Sequence, residues 1–236
     1  MQQIVGTLLY YSIAVAPTML TTLGSISAKK SKGTKKNYVD TLWLLNYAIM
    51  HPNAKIQYTV SNMKVHIHSD ASYVSEHRAR SRAGGHYFLG DERPDMATPP
   101  TTRPRLNGSI HSISRIMSNV MGSATEAKIG AAYINDQESV PIRTFLLELG
   151  NPQPATPIQV DNSTSYGFAN NTIEQKLSKA INMRFYWIRN RSSQGQILIY
   201  WQPVITNLGN YHTKHYSPEY HQLMRPTYLH TSEELA

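Results

Sequence analysis

Cysteine is absent from this chain of 236 residues. Its absence excludes disulfide bonds and metal sites built on thiolates, and with them the zinc-finger class. Acidic residues are also few, with 15 Asp and Glu against 23 Lys and Arg, which gives a net charge of +8 and a pI near 9.6. A basic balance of this size favours a polyanionic partner such as nucleic acid or an anionic surface.

Long uninterrupted hydrophobic runs are lacking as well. The first twenty residues, MQQIVGTLLYYSIAVAPTML, are apolar, but Gln2, Gln3 and Pro17 interrupt them short of a membrane-spanning length, and no basic region precedes them. We therefore expect a helix packed on protein and no membrane partner. The lysine-rich stretch that follows, SAKKSKGTKK, is either a solvated loop or an arm that contacts phosphates.

A second helical pattern, YVDTLWLLNYAIMHP, ends near Pro52. Residues 1–58 are therefore predicted to form a helical appendage. The main domain is predicted over residues 59–225, and residues 226–236 are predicted to form a tail.

From residue 60 the pattern changes to strands. Val65 and Ile67 alternate with polar neighbours, which predicts a strand with one buried face. Further strands are predicted in GGHYFLG, SIHSISRIMS, TPIQV and GQILIYW. Helices are predicted in SATEAKIGAAYINDQE, which Pro141 is expected to break, in IRTFLLELG and around EQKLSKAINMRFYWIRNR. The alternation predicts a mixed α/β layer structure.

Two of these strands end at an aspartate. Asp70 follows the first strand, and Asp161 follows TPIQV. A carboxylate at the end of a strand often only caps a turn. The occurrence of a second aspartate after another strand favours one site to which both aspartates contribute.

Several motifs together resemble the ribonuclease H domain at the end of the polyprotein of copia-type long-terminal-repeat retrotransposons. They are HSDASYVSEHRARSRAGGHYFLG, SATEAKIGAAYI, TPIQVDNSTSYG and SKAINMRFYWIRNRSSQGQILIYWQPVITNLGNYHTKH, in the order of that family. The resemblance covers roughly residues 61–225, and residues 1–60 resemble the segment that joins this domain to the reverse transcriptase.

The resemblance implies a ribonuclease H-like mixed five-stranded sheet flanked by helices, which cuts the RNA strand of an RNA/DNA hybrid. It also implies Mg²⁺, or Mn²⁺ in its place, because such chemistry uses two ions about 3.5 to 4 Å apart held by carboxylates. Asp70 and Asp161 match the first and third of the family's four acidic positions.

The other two acidic positions differ from the family. Its Glu-Ala-Glu appears as Glu126-Ala127-Lys128, and its late Leu-x-Asp appears as Leu208-Gly209-Asn210. Positions two apart on a helix differ by about 200°, so Glu126 replaces Lys128 as a ligand only if it reaches in from another direction. Two unit charges about 4 Å apart interact by about 4 kcal/mol at an effective dielectric near 20, so the resemblance predicts a weakly bound metal and impaired cleavage.

Basic residues provide candidates for contacts with a nucleic-acid backbone, which do not depend on the metal carboxylates. The candidates are Arg78, Arg80, Arg82, Lys179 and Arg184, with Arg189 and Arg191 beside them. Tyr186 and Trp187 either stack on bases or belong to the core. His66 and His68 share a strand face but lack an evident third metal ligand, and His212 and His215 are either product-release or surface residues.

Two classes of function remain open. The first is a hybrid-cleaving nuclease domain with catalytic residues Asp70, Glu126 and Asp161, in contact with a reverse transcriptase or a larger assembly. The second is a noncatalytic module that binds nucleic acid or acts as a scaffold.

Overall fold

The computed structural model describes residues 2–29, 33–91, 105–169 and 179–230. The chain divides into two compact units, Met1–Tyr58 with Lys214–Ala236, and Thr59–Thr213. The second unit thus ends earlier than the domain predicted to residue 225, and the functional division of the chain stays a prediction. Within the described ranges, no helix combines the length and the apolar character needed to cross a membrane.

The elements follow the order expected from the sequence. The helices are α1 (Gln2–Ala14), α2 (Leu20–Ala28), α3 (Lys35–Met50), α4 (Ala124–Glu148), α5 (Ser163–Ala169), α6 (Lys179–Ser193) and α7 (Pro218–Tyr228). The strands are β1 (Lys64–Glu76), β2 (Arg80–Gly90), β3 (Ser109–Ile116), β4 (Thr156–Val160) and β5 (Ile197–Trp201).

Helices α1, α2 and α3 build a small apolar core in the first unit. Val5, Leu8, Leu23 and Leu44 lie in it. The Thr34 side chain caps α3 by accepting a hydrogen bond from the backbone N–H of Asn37. Of the lysine-rich stretch, Lys30 and Lys32 lie outside the described residues, and Lys29, Lys35 and Lys36 are exposed.

The second unit contains a five-stranded sheet in the order β3-β2-β1-β4-β5. Strands β1, β2 and β3 are antiparallel neighbours, whereas β4 is parallel to β1 and β5 is parallel to β4. This confirms the predicted mixed five-stranded sheet flanked by helices.

Helix α4 packs on one face of the sheet and places the residues of its first turns beside the strand ends. Ile129 and Ala132 join Ile67 and Ile158 in the main core. Nearer the helix start, Ala127 and Ala131 meet Ala71 and Ala83, and these small side chains let the helix approach the strands closely.

Pro141 does not break this helix, contrary to the prediction, because α4 runs without interruption from Ala124 to Glu148. A proline inside a helix costs about 3 kcal/mol. The residues that follow are held in place, which offsets this cost. Leu146 is buried in the main core, and Arg143 donates to the carbonyl oxygens of Gln153 and Pro154.

Strand β1 is buried on both faces, not on one as predicted. Its histidines, His66 and His68, are covered rather than solvated. The segment Leu208–His212 lies over this second face: the Leu208 N–H donates to His68 Nδ1 at 3.1 Å, and Asn207 Nδ2 donates to the Ser69 carbonyl at 2.9 Å. Burial, with the charge of His66 beside it, lowers the pKa of His68 to about 3, so the ring is neutral.

Glycines allow the segment Leu208–His212 to approach this closely. A Cβ on Gly209 would lie 2.5 Å from the carbonyl oxygen of His68, and a Cβ on Gly84 would collide with the carbonyl of Gly209. The polar alternation in β1 therefore marks a second packed layer, not a solvent face.

Candidate functional site

Asp70 and Asp161 meet because of the sheet register. Ile67 and His68 of β1 pair with Ile158 and Gln159 of the parallel strand β4. Continuing that register by two residues places Asp70 beside Asp161, the residue directly after β4. Asp70 does not follow the first strand as predicted, because β1 continues to Glu76 and Asp70 pairs with Gly84 inside it. Both carboxylates are largely buried.

Lys128 joins these two carboxylates. Its Nζ atom lies 2.5 Å from Oδ1 of Asp161 and 3.2 Å from Oδ1 of Asp70, and its side chain is 20% exposed. The close packing of α4 described above brings the lysine to this position. The site is thus a lysine held between two aspartates.

Burial and charge act in opposite directions on these groups. Burial and the neighbouring Asp161 raise the pKa of Asp70 to about 6, although Lys128 opposes the rise. Burial alone would lower the pKa of Lys128, but Asp70 and Asp161 outweigh it and raise the pKa of the ammonium. The lysine therefore stays charged at neutral pH and compensates one of the two negative charges of the pair.

Glu126, the other candidate on α4, contacts the start of its own helix. Its Oε2 accepts a hydrogen bond of 2.7 Å from the Gly122 N–H, while Ser123 Oγ accepts one from the Glu126 N–H. This is close to a capping box, which satisfies free N–H groups at a helix start. The structure thus places Lys128, and not Glu126, against Asp70 and Asp161, and a catalytic role for Glu126 stays a prediction.

Asn210 lies in the segment Leu208–His212, which the hydrogen bonds of Asn207 and Leu208 hold against β1. Its carbonyl oxygen accepts from the N–H and the hydroxyl of Thr213. Sequence reasoning missed the anchoring residues His68 and Asn207, because a histidine in a strand and an asparagine in a polar tail carry no signal of a long-range contact.

These residues do not fit a resident divalent metal ion. An ammonium group cannot donate electrons to a metal, and Lys128 lies against Oδ1 of both aspartates that would bind one. Over the ranges that the structure describes, no group of three or more His, Asp or Glu side chains is arranged to hold a metal ion. The predicted Mg²⁺ or Mn²⁺ site is therefore not formed by Asp70 and Asp161 as they stand.

The predicted basic contacts differ in their surroundings. Arg78 is exposed and Arg80 is partly exposed, whereas Arg82 is completely buried. Arg82 donates to Glu76 at 2.7 Å and to Ser114 Oγ at 3.0 Å. The prediction that Arg82 binds nucleic acid is therefore wrong: its position in the strand points it into the protein, where a carboxylate pairs with it.

Helix α6 carries the remaining candidates. Arg184 is half-buried, with Nη1 3.6 Å from the sulfur of Met121, and the Lys179 side chain lies outside the described residues. Trp187 and Arg191 both donate to the buried Asp136 of α4, at 2.7 and 2.9 Å, so these two tie α6 to α4. Tyr186 is exposed.

The structure also gives the positions of His212 and His215. His212 is fully buried, so it is not a surface residue. His215 is exposed and contacts the Ser25 hydroxyl within the first unit.

Comparison with known proteins gives a sequence relative for most of the chain. The chain is 23% identical over 185 residues to the retrovirus-related Pol polyprotein from transposon TNT 1-94 of Nicotiana tabacum, a match that covers 78% of this chain. The chain is similar to a retrotransposon Pol polyprotein. It spans 13% of the length of that polyprotein. No family model matches the chain.

Solved structures of RNase H domains also resemble this chain. LC11-RNase H1 in complex with an RNA/DNA hybrid is 10% identical, with a TM-score of 0.45, and the match covers 63% of this chain and 93% of that one. The N-terminal RNase H domain of a Mycobacterium tuberculosis protein is 12% identical, with a TM-score of 0.40, over 61% and 86% of the two chains. The protease-reverse transcriptase of prototype foamy virus is 15% identical, with a TM-score of 0.33, over 61% and 18%.

Proposed function

We propose that the unit Thr59–Thr213 is a ribonuclease H-like module of retrotransposon origin that binds RNA/DNA hybrids or related nucleic acid and does not cleave them at ordinary rates. The observation that carries the proposal is the ammonium of Lys128 between Asp70 and Asp161. The similarity to a retrotransposon Pol polyprotein supports the proposed origin.

Charge explains why cleavage should fail. Metal-assisted hydrolysis of a phosphodiester needs divalent ions at the carboxylates. Here the ammonium of Lys128 already lies between both carboxylates, and an incoming ion would meet like charge at a few ångströms. That repulsion is about 4 kcal/mol for unit charges at 4 Å and a dielectric near 20, and larger for a divalent ion.

Binding does not require the metal carboxylates. The exposed Arg78 lies in the turn between β1 and β2, and the partly exposed Arg80 begins β2. The chain has a net charge of +8. Phosphate contacts from such residues supply most of the affinity of nonspecific nucleic-acid binding.

The experiment measures binding and cleavage of a labelled RNA/DNA hybrid by the same protein, with Mg²⁺ and with Mn²⁺. We expect the unaltered protein to bind the hybrid, with an affinity that falls as salt rises, and to leave the RNA strand intact. The doubly altered protein, Lys128→Glu with Asn210→Asp, is expected to gain cleavage that depends on the metal.

The exposed Lys55 provides a control for the change of charge, since Lys55→Glu alters net charge as Lys128→Glu does. It should create no cleavage. Metal-dependent cleavage by the unaltered protein, lost on Asp70→Asn, would contradict the proposal and favour a working site completed by Glu126. Failure to bind any nucleic acid would leave the scaffold function.

A further inference from the structure

The hairpin that joins β1 to β2 has a strained backbone. Val74, Arg78 and Ala79 have φ angles of 54°, 61° and 54°, in the left-handed region. For residues other than glycine this conformation costs about 1 to 2 kcal/mol each, and it is least expected for a β-branched valine. Strain of this kind persists where the surrounding structure enforces it, and it concentrates at functional sites. Residues 73–80 are called the tip below.

Contacts at the base of the tip hold this conformation. The hydroxyl of Ser72 donates to the carbonyl of Thr213 at 2.7 Å, and Ser81 Oγ accepts from the Val74 N–H at 3.2 Å. The fully buried Arg82 also forms an ion pair with Glu76 of the tip at 2.7 Å. The tip is therefore fixed at its base, and the side chains at its end are presented in a defined arrangement.

The tip presents an aromatic ring, an apolar side chain and positive charge. Tyr73 is 44% exposed, Val74 is similarly exposed, and Arg78 is exposed at the turn. Glu76 is the one acidic residue among residues 73–80, and Arg82 compensates it. The net charge that the tip shows to solvent is positive, which suits a polyanion and not a basic partner.

We infer that the tip binds an unpaired stretch of nucleic acid, with Tyr73 stacking on a base and Arg78 contacting a phosphate. This rests on the proposed function, since it assumes that the module takes nucleic acid. Tyr73 lies three residues beyond Asp70 on β1, so the tip is within reach of a single strand that leaves a hybrid bound near Asp70. An unpaired base is required because a base stacked inside a duplex has no free face for the tyrosine.

The experiment compares two labelled probes by fluorescence anisotropy at low salt: a blunt RNA/DNA hybrid, and the same hybrid with a single-stranded extension. The unaltered protein should bind the extended probe more tightly. Tyr73→Ala should lower the affinity for the extended probe about tenfold, because stacking on one base contributes about that factor. The affinity for the blunt probe should stay unchanged. Tyr73→Phe keeps the ring and should restore the affinity, which separates stacking from a folding defect.

Two matched controls come from the same unit. Tyr186 on α6 is also exposed, and Arg115 on β3 has a side chain that is 64% exposed. Tyr186→Ala should not reproduce the selective loss. Arg78→Ala should weaken both probes more than Arg115→Ala, which removes the same charge elsewhere.

The outcomes separate the two proposals. If the unaltered protein binds the hybrid but Tyr73→Ala lowers neither affinity, or lowers both equally, the inference about the tip is wrong and the proposed function stands. If the unaltered protein binds neither probe, both are wrong.

Discussion

The Nζ atom of Lys128 lies 2.5 Å from Oδ1 of Asp161, the aspartate that directly follows β4. Because the same nitrogen is 3.2 Å from Oδ1 of Asp70, one ammonium group pairs with two carboxylates that the sheet register places side by side. The lysine therefore bears on stability as well as on the loss of cleavage that we propose.

Replacing this lysine by an uncharged residue of similar length is expected to destabilise the second unit. Lys128→Met leaves two buried carboxylates without a counter-charge, and breaking a fully buried pair costs about 3 to 5 kcal/mol. Because Lys128 is partly exposed, we expect a loss of about 2 to 3 kcal/mol in the free energy of unfolding, measured in urea.

Added Mn²⁺ should restore part of this stability to Lys128→Met, since a ligand that binds the folded state stabilises it. The exposed Lys55→Met, which removes the same charge, should show neither effect. Equal stability of Lys128→Met and the unaltered protein would show that the bridge does not stabilise the fold.

The pH dependence of stability should report on Asp70. Its folded pKa of about 6 lies above the ordinary value of 3.8, so the folded state binds the proton more tightly than the unfolded state does. The contribution of Asp70 to the free energy of unfolding therefore falls as the pH rises from about 4 to about 6. The fall is up to about 3 kcal/mol, because each unit of pKa shift corresponds to about 1.36 kcal/mol. The measurement is the difference in unfolding free energy between the unaltered protein and Asp70→Asn at several pH values. A difference that does not change with pH would contradict the raised pKa.

The buried histidines should give stability the opposite dependence on pH. Burial lowers the pKa values of His68 and His212 to about 3, so the unfolded state takes up these protons first as the pH falls. Their stabilising contribution is full above pH 6.5 and is lost progressively below it. Asparagine keeps a hydrogen-bond acceptor for the Leu208 N–H but does not titrate, so His68→Asn should flatten the loss of stability between pH 6.5 and 4. An unchanged acid profile would rule out a neutral buried His68.

Arg82 should prove to be a residue of stability and not of binding. Arg82→Met leaves the largely buried Glu76 without its partner, and we expect a loss of about 3 kcal/mol in unfolding free energy. Adding Glu76→Leu should recover much of it, because an apolar pair can replace a buried ion pair. For protein that remains folded, affinity for the blunt hybrid should stay within about twofold. A large loss of affinity without loss of stability would show that Arg82 contributes to nucleic-acid binding.

Relief of backbone strain is testable at Ala79. Glycine adopts a φ of 54° without steric cost, so Ala79→Gly should stabilise the protein by about 0.5 to 1 kcal/mol in thermal unfolding. Ala124→Gly in the first turn of α4, where the backbone is helical, should instead destabilise it slightly. If both changes destabilise equally, the tip is not strained at this position.

The parts of the fold that the sequence predicted correctly are those fixed by local patterns. The strand in β1 and the apolar run of β4 are readable because side chains alternate along a strand. Helical periodicity separates Lys128 from Glu126, but the assignment of Lys128 to the site came from the resemblance to the family, and the roles of these residues stay predictions.

The errors concern contacts between side chains and parts of the chain that are distant in sequence. Neither the burial of Arg82 against Glu76 nor the covering of His68 by the segment Leu208–His212 has a signature in the sequence near these residues. The continuity of α4 through Pro141 likewise depends on packing further along the helix, at Leu146. Each is settled by a tertiary contact, which propensity and spacing do not contain.

The parallel pairing of β1 with β4 separates two properties of this site. Backbone hydrogen bonds hold the two aspartates as neighbours, and a side chain on a different element, α4, decides what those aspartates do. Under the proposed function, a change at residue 128 therefore alters the chemistry while the sheet pairing stays in place. Such a scaffold can lose or regain a function through single side chains, without any intermediate that has to refold.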